Sequence, residues 1–302
     1  MSSSSLRRRR GWTTCVALGA LLAACGGGKE PSAARRPVAK IVIPPTGNAR
    51  ADAEAFLAKL CPTPIGGELN FMVWEGYTDS VFAAPFERVC GVKVNATYMG
   101  SSDDLVAKLR GGGAQTIDLI SPSSDAVTQI VQAGLALPLD LSRIPSFTDL
   151  MASFRALPVA RKDTVVYGEP WAFGPNPLIY DSSKVSPAPG SWAILWDDKF
   201  RGRISLQDDI ATLYMVAQLL GLDDPRDPAK LYNLSDADLA KVKAKMLELR
   251  PRVRKYWATA GDLTQLFQAG EVVLAEGWPL MTHQLRQAKF PAGEVIPKEG
   301  TT

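Results

Sequence analysis

Five short segments combine aromatic rings, carboxylates and hydroxyls: Trp74-Glu75-Gly76-Tyr77, Ser121-Pro122-Ser123-Ser124-Asp125, Gln207-Asp208-Asp209, Ala275-Glu276-Gly277-Trp278, and Tyr98 ahead of Ser101-Ser102. Together they suit one chemistry, the capture of an organic ammonium. The face of a Trp ring attracts a desolvated cation by roughly 2 kcal/mol or more. Carboxylates add charge-assisted hydrogen bonds. An anion site would place Arg or Lys in these segments, and none of the five contains either. From this set we expect Trp74, Glu75, Tyr77, Ser123, Asp125, Asp209 and Trp278 to contact a ligand.

Competing readings apply to several of these residues. Ser123 and Asp209 each stand where a helix N-cap is expected, and capping alone accounts for such a residue. Trp192 and Trp196 are read as core packing, Tyr98 as packing within its strand, and Trp171 as structural. His283 is the only histidine and falls in a helical stretch. No Gly-x-Ser-x-Gly elbow, phosphate loop or Cys/His cluster of metal-ligand spacing occurs. No catalytic residue, metal site or cofactor is expected. A secreted hydrolase using two carboxylates and a metal-capturing protein remain as alternatives.

The segments sit at the ends of elements that alternate along the chain. Glu68–Trp74 reads as a strand, and Asp79 stands ready to cap the helix after it. Val92–Tyr98 is a second strand, followed by a helix capped at Ser101 or Ser102 and stopped by Gly111-Gly112-Gly113. Ile117–Ser121 is a third strand and leads into a helix from Ser123 or Ser124. Tyr167–Asp181, rich in proline, reads as an extended crossing segment. Further on, Ile204–Leu206, Val253–Trp257, Val272–Glu276 and Glu294–Ile296 read as strands. Helices follow Asp209, Ser235, Asp262 and Trp278. This alternation predicts an α/β fold with parallel-rich sheets flanked by helices. In such sheets ligands bind beyond the carboxyl ends of the strands, where the five segments lie.

The amino-terminal region has a different character. Arg7–Arg10 and the apolar run 11–24 form a secretory signal, too short to span a membrane as a helix. Leu22-Ala23-Ala24-Cys25 resembles a bacterial lipobox, so Cys25 is expected to carry lipid. The arginine run leaves Sec and twin-arginine export both open. The 302-residue chain has 34 Lys+Arg and 31 Asp+Glu. Removing the four signal arginines leaves 30 basic against 31 acidic residues, so nucleic-acid binding loses its electrostatic basis. Residues 25–65 read as a tether, with one short helix over 51–60. Of the four cysteines, Cys61 and Cys90 remain for a disulfide. Both fall at the amino end of the sheet in a right-handed β-α-β unit. Such a bond contributes about 3–4 kcal/mol on the chain-entropy model.

The order of several segments resembles periplasmic spermidine/putrescine-binding proteins. The segments are Leu69–Tyr77, Asp118–Ser123, Ser191–Gly202, Leu206–Asp209, Gly270–Trp278 and Val295–Gly300, together covering about 68–300. The resemblance implies a type II periplasmic-binding-protein fold, with two lobes, a hinge and a cleft. It places Trp74, Tyr77, Ser123, Asp209 and Trp278 along a polyamine cleft. It implies a monomeric binding protein that serves ABC permease subunits from a lipid anchor at the periplasm or cell surface. The expected lobes are 66–170 and 171–293, with 294–302 returning to the first. Three positions depart from the pattern. Gly76 replaces a common acidic residue, Asp125 a stacking aromatic, and Thr212 a second carboxylate. Sugars, amino acids, opines or metals therefore stay open as ligands. The resembled proteins continue past the Pro297–Gly300 turn into an aromatic-x-Asp element of the cleft. On that basis residues 25–302 are expected to be truncated, to bind polyamines weakly or not at all, and to melt at low temperature.

Overall fold

A computed structural model describes residues 39–301, except Pro225. The leader, the lipobox and Cys25 lie outside the described residues. The first described helix, α1 (Ala49–Leu60), is capped by Asn48, whose side chain accepts the Ala51 N–H at 3.1 Å. Next come β1 (Glu68–Val73), α2 (Ser80–Cys90), β2 (Lys93–Tyr98), α3 (Ser102–Arg110), β3 (Leu119–Ile120) and α4 (Ser124–Gln132). The three strands form one parallel sheet in the order β2-β1-β3. Parallel neighbours need crossovers, and α2 and the α3 region supply them. The buried faces of α3 and α4, including Leu105, Leu109 and Ile130, pack on Met72 beneath this sheet.

The disulfide expected between Cys61 and Cys90 is present, with Cα atoms 5.2 Å apart. It joins the end of α1 to the end of α2. Val92, with Leu57, Leu69, Phe86 and Val89, packs around it.

A short helix, α5 (Ala152–Arg155), and a two-stranded ribbon, β4 (Arg161–Lys162) with β5 (Val165–Val166), precede the second sheet. That sheet contains β6 (Leu178–Asp181), β7 (Ile204–Gln207), β8 (Val253–Trp257), β9 (Leu274–Glu276) and β10 (Ala292–Val295), in the order β10-β6-β9-β7-β8. β7 runs parallel to β8 and β9, while β6 is antiparallel to both β9 and β10. Its helices are α6 (Ala211–Leu219), α7 (Asp236–Leu249), α8 (Ala260–Gln268) and α9 (Pro279–Gln287). One face of the sheet packs Leu178, Ile204, Leu206 and Val273 against α6 and α7. The other packs Ile179, Trp257 and Ala275 against α8 and α9.

Several sequence expectations are corrected here. Residues 178–181 end the proposed crossing segment as a fully buried strand next to β9, because Leu178 and Ile179 face the two opposite cores. Thr259, not Asp262, caps α8, since its side chain accepts the Asp262 N–H at 3.1 Å. Tyr98 is half-exposed rather than packed, with its hydroxyl 3.1 Å from Thr78 Oγ1. Asp79 and Ser123 occupy N-cap positions but make no capping bond. Ser101 and Ser235 do cap, accepting from Asp104 and Asp238. Trp192 is buried in the core as expected.

Candidate functional site

The parallel strands of both sheets point their carboxyl ends at a common region, and the singled-out residues fall there in three groups. The first is a run of indoles. Trp74, just after β1, meets the ring of Trp278 edge-on, with centroids 5.6 Å apart. Trp278 in turn meets Trp257 at 4.9 Å. Trp257 is fully buried, and its indole N–H donates to the Glu276 carbonyl at 2.9 Å. The outer rings therefore stand on a fixed base, in the edge-to-face geometry aromatic quadrupoles favour.

Two glycines permit this approach. Gly76 has φ +93°, and a Cβ there would sit 2.8 Å from Leu280 Cδ2 of α9. Its backbone conformation and its closeness to α9 explain why no acidic residue stands at that position. Gly277 lies against Ile179, which an added Cβ would meet at 2.6 Å.

The second group is acidic. Asp209 follows β7 and accepts the Ala211 N–H at 3.0 Å at the start of α6. The backbone N–H of Ser102, at the start of α3 under the other sheet, acts on it to favour the charged form. Burial raises its pKa, and the charges of Asp125 and Asp103 push the same way against these donors. Asp125, in the first turn of α4, is also raised, mainly by burial and further by Asp103. The Tyr214 hydroxyl faces Asp125 and favours its charged form. Tyr214 packs edge-on against Tyr232 at 4.9 Å, and both phenols have raised pKa values from burial and from Asp125. Among the described residues, no Lys or Arg forms an ion pair with Asp125 or Asp209. These carboxylates are desolvated and mutually repelling, an arrangement that favours an incoming cation.

The third group surrounds Tyr77, whose ring meets Trp171 edge-on at 4.5 Å. The Trp171 indole donates to Ser121 Oγ at 3.0 Å. Ser123 contributes its backbone N–H to Ser102 Oγ at 3.1 Å. Glu75 belongs with the first group by position, but its carboxylate is engaged: Oε2 accepts the Ala260 N–H at 2.9 Å, capping α8. Sequence reasoning missed Tyr214, Tyr232, Trp257 and Asp103. Their placement depends on long-range packing, and no local pattern marks them. Glu276 was visible at a strand end but was passed over for Trp278. It is fully buried, hydrogen-bonded to Thr212, and pushed up to about 7 by burial, opposed by Thr212, with the charge of Asp209 adding to the rise.

Residues 82–302 match the model of the bacterial extracellular solute-binding proteins. The chain belongs to this family. It is a family of solute-binding transport proteins, not of enzymes. Among relatives of this solute-binding chain, the spermidine/putrescine-binding periplasmic protein 1 of Haemophilus influenzae is 26% identical over 231 residues. That match covers 75% of the chain and 61% of the relative. The spermidine/putrescine-binding periplasmic protein of Escherichia coli is 26% identical over 238 residues, covering 77% and 64%. The chain thus spans less than two thirds of the length of either. The crystal structure of the Tp0655 (TpPotD) lipoprotein of Treponema pallidum superposes with a TM-score of 0.64 at 23% identity, covering 77% of this chain and 71% of that one. That likeness concerns the fold, the two-lobed type II periplasmic-binding-protein fold expected from the sequence.

Proposed function

We propose that the protein captures a small organic cation of the putrescine/spermidine class and delivers it to the permease of an ABC importer. The observation that carries this reading is the pair of desolvated carboxylates, Asp125 and Asp209, set with Tyr214 and Tyr232 and in no ion pair with a Lys or Arg among the described residues. The Trp74–Trp278 pair supplies ring faces for methylene segments once the rings part. The names of the relatives point to the same ligand class.

In this reading a lobe of residues 66–170 closes on a lobe built around the five-stranded sheet. The protein works as a monomer in the periplasm or at the cell surface, held by lipid on Cys25. Trp74, Tyr77, Ser123, Asp125, Asp209 and Trp278 contact the ligand. Glu75 acts in closure, since its carboxylate already holds α8. Titration calorimetry with putrescine, spermidine and neutral sugars tests the ligand class. Heat from an amine alone supports it, and heat from a sugar alone refutes it. Mass spectrometry of the mature amino terminus tests the anchor, and an unmodified Cys25 refutes it.

A further inference from the structure

Glu276 ends β9 with no solvent exposure, and its surroundings contain more acceptors than protons. Thr212 Oγ1 lies 2.6 Å from Glu276 Oε2 and 2.9 Å from the Gln207 carbonyl oxygen. A hydroxyl has one proton to donate, and a carbonyl only accepts. Both contacts are satisfied when Thr212 donates to Gln207 and the Glu276 carboxyl, holding a proton, donates to Thr212. The other carboxyl oxygen, Oε1, has no partner. Gln207 Oε1 is also unpartnered, but it lies on the opposite face of the sheet, the side of Trp257. A buried acceptor left this way is costly and calls for a missing donor.

We propose that Glu276 forms the deep end of the cation site, taking a primary ammonium group that displaces the proton held by Glu276. This rests on the proposed function and refines it. A primary ammonium carries three N–H donors, enough for the unpartnered Glu276 Oε1 and the carboxylate of Asp209 that acts on it. A quaternary ammonium carries none and leaves these acceptors unmet. The proton balance is simple: the ligand keeps its three protons and its charge, the carboxyl becomes carboxylate, and its proton passes to solvent. The charged group acting on Glu276 is Asp209, reached from β7, while Asp125 and Asp103 act on Asp209 in turn. From α6 it is faced by the neutral Thr212. Burial is the main reason the carboxyl holds its proton near neutrality.

The test is proton release on saturating the protein with putrescine, followed by pH-stat in weakly buffered solution. The wild type is expected to release close to one proton per bound ligand at pH 6 and almost none at pH 8.5. E276Q keeps a donor for Thr212 through its amide, and is expected to release none at either pH and to bind at least 10-fold more weakly. Choline, a quaternary ammonium, is expected to bind far more weakly than putrescine. Amine binding without proton release in the wild type overturns the inference and leaves the proposed function standing. So does E276Q binding equal to wild type. The wild-type measurement needs no variant to fold. Failure of the wild type to bind any amine overturns both readings.

Discussion

Glu75 Oε2 accepts the backbone N–H of Ala260 at 2.9 Å, so a carboxylate at the end of the first strand caps a helix 185 residues further on. Asp209, at the end of β7, is approached in the converse sense by the backbone N–H of Ser102 at the start of α3, which favours its charged form. Glu75 thus ties the first sheet to a helix amino terminus of the second, where the helix dipole favours negative charge.

The first prediction follows from this pairing. E75A should cost about 1 kcal/mol of stability, as loss of a cap does. Because the bond joins elements of different sheets, the variant should also populate a more open form. Denaturant titration reads the first effect and small-angle scattering the second. An unchanged radius of gyration with unchanged stability would show that the bond does not hold the lobes.

Gly76 is the point of closest approach on the same side. G76A adds a Cβ 2.8 Å from Leu280 Cδ2 and forces a non-glycine residue to φ +93°. The backbone strain alone costs about 1–3 kcal/mol. Adding L280A should recover the steric part and leave the strain. A double variant as stable as wild type would mean that the backbone relaxes.

The Cys61–Cys90 bond closes a loop of 29 residues and anchors α1 to the first sheet. C61S/C90S should lose about 3 kcal/mol. Alkylation of the non-reduced protein should label neither cysteine. Labelling of both would contradict the bond.

Glu276 gives a pH signature in the unliganded protein. Its folded-state pKa, about 7, lies above the ordinary 4.5, so the folded state holds the extra proton. Stability should then fall as pH rises from about 4.5 to about 7, and level off above. Asp125 and Asp209 are shifted in the same direction, from a lower starting point. E276Q should flatten the upper part of this decline and exceed the wild type by about 1–3 kcal/mol at pH 8. A wild type whose stability rises over that interval would contradict the assignment.

Much of the framework was legible because it is local. Caps at Ser101 and Ser235, the glycine stop after α3 and strand-helix alternation are short-range signals, and the structure follows them. The strand at 178–181 was hidden because Pro170, Pro175 and Pro177 give its approach the look of an irregular segment. α8 begins at Thr259 because its threonine side chain reaches the Asp262 N–H, while Asp262 itself sits inside the first turn. Positions at strand ends were legible from the same alternation, and Trp74 and Trp278 do meet. What each carboxylate holds was not. The partner of Glu75 lies in another sheet, and the proton on Glu276 depends on Thr212 and Gln207 converging from separate elements.

The central claim is that charge, not shape alone, selects the ligand. Ligand-observed NMR by saturation transfer from the protein compares putrescine with butane-1,4-diol, which keeps the four-carbon length and replaces both ammonium groups by hydroxyls. The account predicts transfer to the putrescine methylenes, its loss in D209N, and none to the diol. Equal transfer to both molecules, or transfer to putrescine that survives D209N unchanged, would contradict it.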